Sequence, residues 1–240
     1  MADYIFICGC GHTGTSILTR IIGEHSKIYT PPYESNALLT YNSLGKSWKI
    51  LKELESLAID SGCSVVLEKT ARHIWHVDYI RRVVPNSKFI LVTRDGRDVI
   101  GSLYKRHQDI DAAITRYRDD SMQTIRQLSC PDAIVLRYED LIADPKKEIT
   151  RILDFIGYKW EDAMLDYHKK EPLNWNRVTE HKKGSGLEGE GINQLRSWQV
   201  NQPLFDGRNS WKSRIPSSEW GKLKDFFENV GNEIMKNLGY

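Results

Sequence analysis

Short apolar runs alternate with amphipathic stretches along most of the chain. Residues 4–8, 64–67, 88–92 and 133–138 are β-prone and apolar, and a segment with helical spacing of apolar residues follows the first of them at once. Strands that alternate with helices predict an α/β domain whose central parallel sheet has helices on both faces.

The amphipathic segments predict several long helices. Apolar residues recur at helical spacing over 46–61, 110–128 and 216–238, and a further helix should start at Asp144 and stop at Gly157. In the last helix we expect the core-facing stripe to consist of Trp220, Leu223, Phe227, Val230 and Ile234.

In one stretch the apolar residues follow neither helical nor strand spacing. From about 176 to 206 the chain is rich in Gly and charge, which is typical of a long loop. We expect a mobile lid there that orders over bound ligands.

Composition narrows the class of protein. At 240 residues and 40% hydrophobic content, the chain predicts a single domain over 1–240. Its net charge of +2 does not suggest a nucleic-acid partner.

Because no apolar run reaches membrane-span length and a strand begins almost at once, we expect a cytoplasmic protein without a membrane span. The cysteines should be reduced packing residues, since they form neither a disulfide framework nor a metal-ligand spacing: Cys8, Cys10, Cys63 and Cys130.

A Gly-rich loop follows the first strand. Glycines at a strand-to-helix junction let the backbone approach an oxyanion, and the helix N-terminus favours negative charge there. The spacing from Gly9 to Gly14 is that of the P-loop, but Thr15 stands where the P-loop has its lysine. The loop therefore predicts a phosphate site; the alternative is an ordinary turn between strand and helix.

A second anion-binding candidate follows the third strand. Arg94 carries a guanidinium fork suited to phosphate at the strand's end, and Ser102 lies two turns along the next helix. We expect Arg97 and Asp98 to form a structural ion pair.

The phosphate loop and its helix resemble the 5′-phosphosulfate loop of sulfotransferases that use 3′-phosphoadenosine 5′-phosphosulfate (PAPS), whose usual form is G-x-P-[RK]-[ST]-G-T-[ST]. Gly11 replaces the proline, and His12 replaces the basic residue. An imidazolium there would bind the 5′-phosphate with a charge that depends on pH. The resemblance implies that the whole loop contacts the nucleotide: Gly11, His12, Thr13, Gly14, Thr15 and Ser16.

The segment from Arg94 to Ser102 resembles the family's 3′-phosphate motif, R-x-x-R-D-x-x-x-S. Arg106 matches a further nucleotide-contacting arginine of the tyrosylprotein branch, and Tyr138 begins a Tyr-Glu-Asp-Leu segment that lies near the nucleotide in the family. The likeness is to the bacterial and tyrosylprotein-type sulfotransferases, and it implies their P-loop-like sulfotransferase fold.

The same resemblance implies the catalytic residues. Lys69 matches a lysine that contacts the phosphosulfate, and Glu34 matches the catalytic glutamate of the tyrosylprotein branch within one residue. The alternative for Glu34 is a carboxylate that serves a helix dipole. His73 is a fallback base, because Ala71 stands where cytosolic sulfotransferases place their histidine.

The last nucleotide-contacting region is degenerate. Ser210 occupies the position of a basic residue that usually precedes the tryptophan, so Arg208 or Lys212 is expected to substitute, with Trp211 packed against the adenine.

Together these segments imply sulfuryl transfer from PAPS to a hydroxyl or amine of a small-molecule, carbohydrate or peptide acceptor, without a metal. Glu34 would take the proton, while Lys69 and His12 would stabilise the leaving phosphate. Two alternatives stay open at this point: a P-loop-type kinase of small molecules, and a non-catalytic nucleotide-binding protein.

Overall fold

The computed structural model describes residues 3–39, 42–175 and 189–240. Within these residues the central sheet has five strands. They are β1 (Asp3–Gly9), β2 (Ile28–Tyr29), β3 (Val65–Lys69), β4 (Lys88–Thr93) and β5 (Ala133–Arg137).

All the strand pairs are parallel, and the spatial order is β2-β3-β1-β4-β5. The predicted α/β class is therefore confirmed. In the register of the sheet, Ile7 lies beside Lys69 and Gly9 lies beside Val92. The loop after β1, Lys69 and the residues after β4 thus meet at one edge, where open α/β sheets bind their ligands.

Helices of the described residues cover both faces of the sheet. They are α1 (Thr15–Ile22), α2 (Leu44–Asp60), α3 (Val77–Val83), α4 (Gly96–His107), α5 (Ile110–Gln127), α6 (Tyr138–Ala143), α7 (Pro145–Ile156), α8 (Gly189–Val200), α9 (Trp211–Arg214), α10 (Trp220–Phe226) and α11 (Asn232–Asn237). None of them is long and apolar enough to cross a membrane.

The apolar strands are buried on both faces. Ile5 and Ile7 of β1 pack in a core with α1 and α7, whereas Phe6 and Cys8 of the same strand pack with α2 and α3. Because alternate residues of a strand point to opposite faces, both sets must be apolar, which explains the continuous apolar runs.

The caps of α7 are those predicted. Asp144 Oδ1 accepts a hydrogen bond from the backbone N–H of Lys147 at 3.1 Å, Pro145 occupies the first turn, and Gly157 ends the helix at φ 91°. These contacts satisfy backbone groups that a helix end leaves without partners.

Helix α8 corrects part of the loop prediction. Residues 189–200 are helical although Gly189 and Gly191 are poor helix formers. Contacts with the preceding chain hold the helix: Ser197 Oγ accepts from the backbone N–H of Trp175 at 3.1 Å and donates to Leu173 O at 3.2 Å. Residues 176–188 of the expected lid lie outside the described residues.

The C-terminal segment is helical over 220–237, within the single helix predicted, but it contains a π-helical turn. A π-helical turn spans Phe227–Gly231 between α10 and α11 and changes the angular position of the residues that follow. Leu223, Phe227 and Ile234 are buried as expected, but Trp220 and Val230 are 41% and 42% exposed.

Candidate functional site

Two glycines shape the loop after β1. Gly9 has φ 143°, and a Cβ there would lie 2.5 Å from Val92 O; Gly14 has φ 104°, and a Cβ would lie 2.8 Å from the Tyr138 ring. Both positions therefore require glycine, for the close approach of the backbone as well as for the positive φ. Gly14 is also the N-cap of α1, so the loop leads into a helix N-terminus.

The loop faces a cavity of about 370 Å³, hereafter the cationic cavity. Gly11, His12, Gly14, Thr15 and Ser16 line it. Thr13 does not: it is buried, and its hydroxyl donates to Cys10 O at 2.8 Å. This corrects the expectation that its side chain contacts the nucleotide, because the hydroxyl proton is used inside the loop.

The charge of the described lining is strongly positive. Seven Lys or Arg side chains line the cationic cavity, against the single carboxylate of Glu34. In a partly enclosed site such an excess attracts anions. The cations are Lys69, Arg72, Arg94, Arg106, Arg116, Arg196 and Arg214.

Arg94 is fixed at the edge of the sheet. It follows β4, is only 7% exposed, and its guanidinium lies over the Tyr138 ring at 4.4 Å. It donates to Gly207 O at 2.5 Å and to His12 O at 3.4 Å. Its Nε is buried without a partner among the described residues, so the guanidinium retains capacity for an acceptor such as phosphate.

Ser102 and Arg214 extend this region. Arg214 Nη1 donates to Ser102 Oγ at 2.5 Å, and Ser102 Oγ donates to Asp98 O at 2.9 Å. Both side chains line the cationic cavity. Burial, together with the nearby Arg94, lowers the pKa of Arg214 below its usual value. An anion beside these two arginines would relieve their repulsion.

The predicted pairing of Arg97 with Asp98 is wrong. Arg97 pairs instead with Asp95, at 2.5 Å. Asp98 is 1% exposed and accepts hydrogen bonds from a later segment: Asn209 N (2.9 Å), Trp211 N (3.0 Å) and Ser210 Oγ (3.1 Å). Asp98 therefore anchors the chain that carries Arg214.

The expected substitutes in that segment do not line the cationic cavity. Arg208 is exposed and pairs with Asp206 at 2.6 Å, and Lys212 is exposed as well. Trp211 packs against Trp220 with ring centroids 5.5 Å apart, in a second cavity. Arg214 is the basic residue that this segment contributes. The expectations for Arg208, Lys212 and Trp211 are corrected accordingly.

Glu34 and Lys69 come together although they are 35 positions apart. Lys69 Nζ lies 2.5 Å from Glu34 Oε1 and 4.5 Å from the centroid of the Trp175 ring. Lys69 is 2% exposed. Burial lowers the pKa of Lys69, and the charge of Glu34 and its hydrogen bond oppose that shift. The result is a carboxylate and an ammonium in contact at the edge of the sheet, both lining the cationic cavity.

A buried network positions Glu34. Glu68 is fully buried, and its Oε1 accepts from Ser35 N (3.1 Å), Ser35 Oγ (2.7 Å) and Thr70 Oγ1 (2.6 Å). Although burial favours the neutral acid, His73 and these hydrogen bonds hold the pKa of Glu68 below its usual value. The network ties the loop that bears Glu34 to the end of β3.

His73 cannot serve as the fallback base. It is fully buried, Nδ1 lies 2.9 Å from Glu68 Oε2, and Nε2 accepts from Leu38 N at 3.4 Å. Its ring also packs edge-on against Phe6. A base must reach the acceptor, and His73 does not line the cationic cavity.

His12 is uncharged at neutral pH in this arrangement. Burial, and then the charges of Arg196, Arg106, Arg116 and Arg214, lower its pKa to about 3. In the ligand-free protein this shift favours the neutral imidazole over the imidazolium expected at the 5′-phosphate. His12 has φ 71°, an uncommon value for a residue with a side chain.

Sequence reasoning missed four arginines of the cationic cavity: Arg72, three positions after Lys69, and three that lie on α-helices. Arg116 lies on α5, Arg196 lies on α8, and Arg214 lies at the end of α9. A single arginine on an amphipathic helix carries no local signal. Only the tertiary structure brings the three to the phosphate loop.

The described residues fit a ligand that carries phosphate groups. The phosphate loop and Lys69 line the cationic cavity together with Arg94, Ser102 and Arg214. The unpartnered Arg94 Nε and the excess of cations are features that such a ligand would satisfy.

Comparison with known proteins shows a likeness to sulfotransferases. A model of the sulfotransferase family matches residues 51–162. A protein-tyrosine sulfotransferase of Drosophila melanogaster is 23% identical over 248 residues, covering 88% of this chain and 47% of its own length. Protein-tyrosine sulfotransferase 1 of Danio rerio is 29% identical over 148 residues, covering 58% of this chain and 39% of its own. The chain thus spans less than half the length of these two relatives.

The fold has solved counterparts. A mouse sulfotransferase crystallised with PAP superposes with a TM-score of 0.63 at 14% identity, covering 98% of this chain and 88% of that one. At this identity the likeness concerns the fold. Together with the family match over residues 51–162 and the curated relatives, it shows that the chain is similar to sulfotransferases, among them protein-tyrosine sulfotransferases.

Proposed function

We propose that this protein transfers a sulfuryl group from PAPS to a hydroxyl group, and that the acceptor is a tyrosine side chain in a peptide or protein. The observation that carries the proposal is the cationic cavity itself. It combines a phosphate loop, a surplus of arginines and the contact between Glu34 and Lys69.

Two groups of residues would hold the nucleotide. At the 3′-phosphate we place Arg94, Ser102 and Arg214, supported by their mutual contacts and their position after β4. At the 5′ end we place the backbone N–H groups of the loop before α1 and the ammonium of Lys69. Tyr138, which supports Arg94, and Arg106 complete the binding residues. Fixed N–H donors and guanidinium groups are the usual ligands of phosphate in proteins.

PAPS supplies the sulfuryl group and the leaving phosphate when it is bound. Glu34 accepts the proton of the acceptor hydroxyl, since it is the carboxylate of the described lining. Lys69 stabilises the negative charge that develops on the leaving side, and its contact with Glu34 orients both groups beforehand. His12, whose pKa is about 3 in the ligand-free protein, contributes a hydrogen-bonding group at the loop.

The curated relatives support the acceptor class, because several are named as protein-tyrosine sulfotransferases. A phenol is also a suitable partner for a carboxylate base, because its pKa of about 10 is far lower than that of an alcohol.

Transfer of label tests the proposal. The protein is incubated with ³⁵S-labelled PAPS and a set of tyrosine-containing peptides, and each peptide is matched by a control with phenylalanine in place of tyrosine. We expect label on tyrosine peptides alone. Label on alcohols or amines but not on tyrosine would contradict the acceptor class, and absence of label on every acceptor would contradict the enzymatic function.

A further inference from the structure

The phosphate loop lacks a permanent cation of its own. The residues that precede Thr13 are Gly11 and His12, and burial among arginines lowers the pKa of His12 to about 3. The loop therefore offers N–H groups and hydroxyls to an anion, but no charged side chain at neutral pH.

Arg116 approaches the loop from another element. It lies on α5, one hundred positions along the chain, and it lines the cationic cavity. A Cβ at Gly11 would lie 3.3 Å from Arg116 Nη2 and 3.9 Å from Cζ. Apart from the neighbours of Gly11 in sequence, no other described residue lies within 4 Å of that point. The absent side chain at Gly11 thus leaves space directly against the guanidinium.

An ion pair with Asp120 orients Arg116. Its Nε lies 3.5 Å from Asp120 Oδ2, one helical turn further along α5. Asp120 is 7% exposed, and its Oδ1 accepts from Trp75 Nε1 at 2.6 Å. The Nε edge of the guanidinium is therefore held by α5 while Nη2 lies at the loop. Residual N–H donors remain for a phosphate, since a guanidinium has five.

We propose that Arg116 supplies the cation that the phosphate loop lacks, and that it binds the 5′-phosphate end of the nucleotide above Gly11. This inference rests on the proposed function, since it assumes that the nucleotide lies with its 5′ end at the loop. Arg116 on α5 thus replaces the basic residue that sulfotransferases usually carry at the position of His12. The lack of a side chain at Gly11 leaves space for the guanidinium.

Paired ligands separate this role from a general effect on the cavity. Titration calorimetry compares 3′,5′-adenosine bisphosphate with 3′-adenosine monophosphate, which lacks the 5′-phosphate. We expect Arg116→Met to weaken bisphosphate binding about 10- to 100-fold, as loss of a charge-assisted hydrogen bond should. Binding of the monophosphate should change less than about threefold, because the group that Arg116 contacts is missing from that ligand.

The same helix provides a matched control. Arg118 is exposed and pairs with Asp119 beside it, so Arg118→Met should bind both nucleotides as the wild type does. Adding His12→Arg to Arg116→Met restores a cation at the family's usual loop position and should recover most of the bisphosphate affinity. Arg116→Lys keeps a positive charge near Asp120, so its affinity for the bisphosphate should lie between those of the wild type and Arg116→Met. This variant replaces Arg116→Met in the test if the methionine variant folds poorly.

The outcomes are distinct. Equal weakening of both nucleotides by Arg116→Met, or an unchanged affinity for the bisphosphate, would overturn the role of Arg116 and leave the proposed function intact. Failure of the wild type to bind either nucleotide would overturn the proposed function and this inference with it.

Discussion

Glu34 and Lys69 are the residues on which the proposed chemistry depends. The two side chains depend on each other. The buried ammonium of Lys69 needs an anionic partner, and the ammonium in turn orients the carboxylate of Glu34. The pair arises because the loop after β2 is tied by Glu68 to the end of β3, where Lys69 lies. The position of the Glu34 carboxylate thus depends on the fully buried carboxylate of Glu68.

Removal of the base should be visible in the rate of turnover. A general base contributes about 10²- to 10⁴-fold, so Glu34→Gln should lower kcat by that factor while bisphosphate affinity stays within about threefold of wild type. Glutamine retains the size of the side chain and a carbonyl oxygen for Lys69 but cannot accept the proton. Steady-state kinetics with labelled PAPS measures the loss; a decrease below about tenfold would contradict the role of Glu34.

His12 predicts a specific dependence of stability on pH. Its folded pKa of about 3 lies below the unfolded value, so the unfolded chain takes up a proton that the folded chain does not as the pH falls through about 6.5. Stability should therefore decrease on acidification. We expect the free energy of unfolding, measured with urea, to decrease between pH 7 and pH 5. The decrease should be up to about 2 kcal/mol larger for the wild type than for His12→Gln. Equal losses in both proteins would show that His12 titrates normally.

At the scale of elements, Asp98 connects α4 with the segment before α9. Its carboxylate satisfies two backbone N–H groups and a hydroxyl of that segment, which carries Gly207 and Arg214 to the cationic cavity. The segment has little regular structure of its own, so this acceptor largely fixes its course.

Asp98→Ala should therefore weaken both the fold and the ligand site. Buried donors left without acceptors cost about 1–3 kcal/mol each, and partial access of water should limit the total to about 3 kcal/mol. For a chain of this size that corresponds to a decrease of about 6–12 °C in Tm. Bisphosphate affinity, measured on the folded variant, should fall as well. Asp119→Ala, which removes an exposed partner of Arg118, is the control and should leave Tm and affinity nearly unchanged.

Elements with a strong local signal agree with the sequence, and those set by tertiary contacts do not. The caps at Asp144 and Gly157 and the apolar strands have local causes, so the sequence predicts them. Helix α8 contains Gly189 and Gly191, and its attachment through Ser197 to Leu173 and Trp175 is invisible from local propensity. The π-helical turn at Phe227–Gly231, and the exposure of Val230 within it, likewise have no counterpart in the apolar pattern of the sequence.

At the scale of the molecule, the parallel sheet explains why part of the candidate site could be predicted from the sequence. Three motifs follow β1, β3 and β4, and parallel strands must bring their carboxyl ends to one edge. Arg94 is expected from its place after a strand, whereas Glu34 and Lys69 are expected from the family resemblance. Arg116 and Arg196 reach the same cavity from helices, and their positions depend on how those helices pack.

The central claim is that the cationic cavity binds a nucleotide with phosphates at the 3′ and 5′ positions. Thermal unfolding with 3′,5′-adenosine bisphosphate tests it most directly, with ATP and magnesium as the comparison. At one hundred times its Kd the bisphosphate adds about 2.7 kcal/mol, and Tm should rise by about 5–10 °C. ATP with magnesium should give a much smaller shift. A rise with ATP and magnesium alone, or no rise with either nucleotide, would contradict the account.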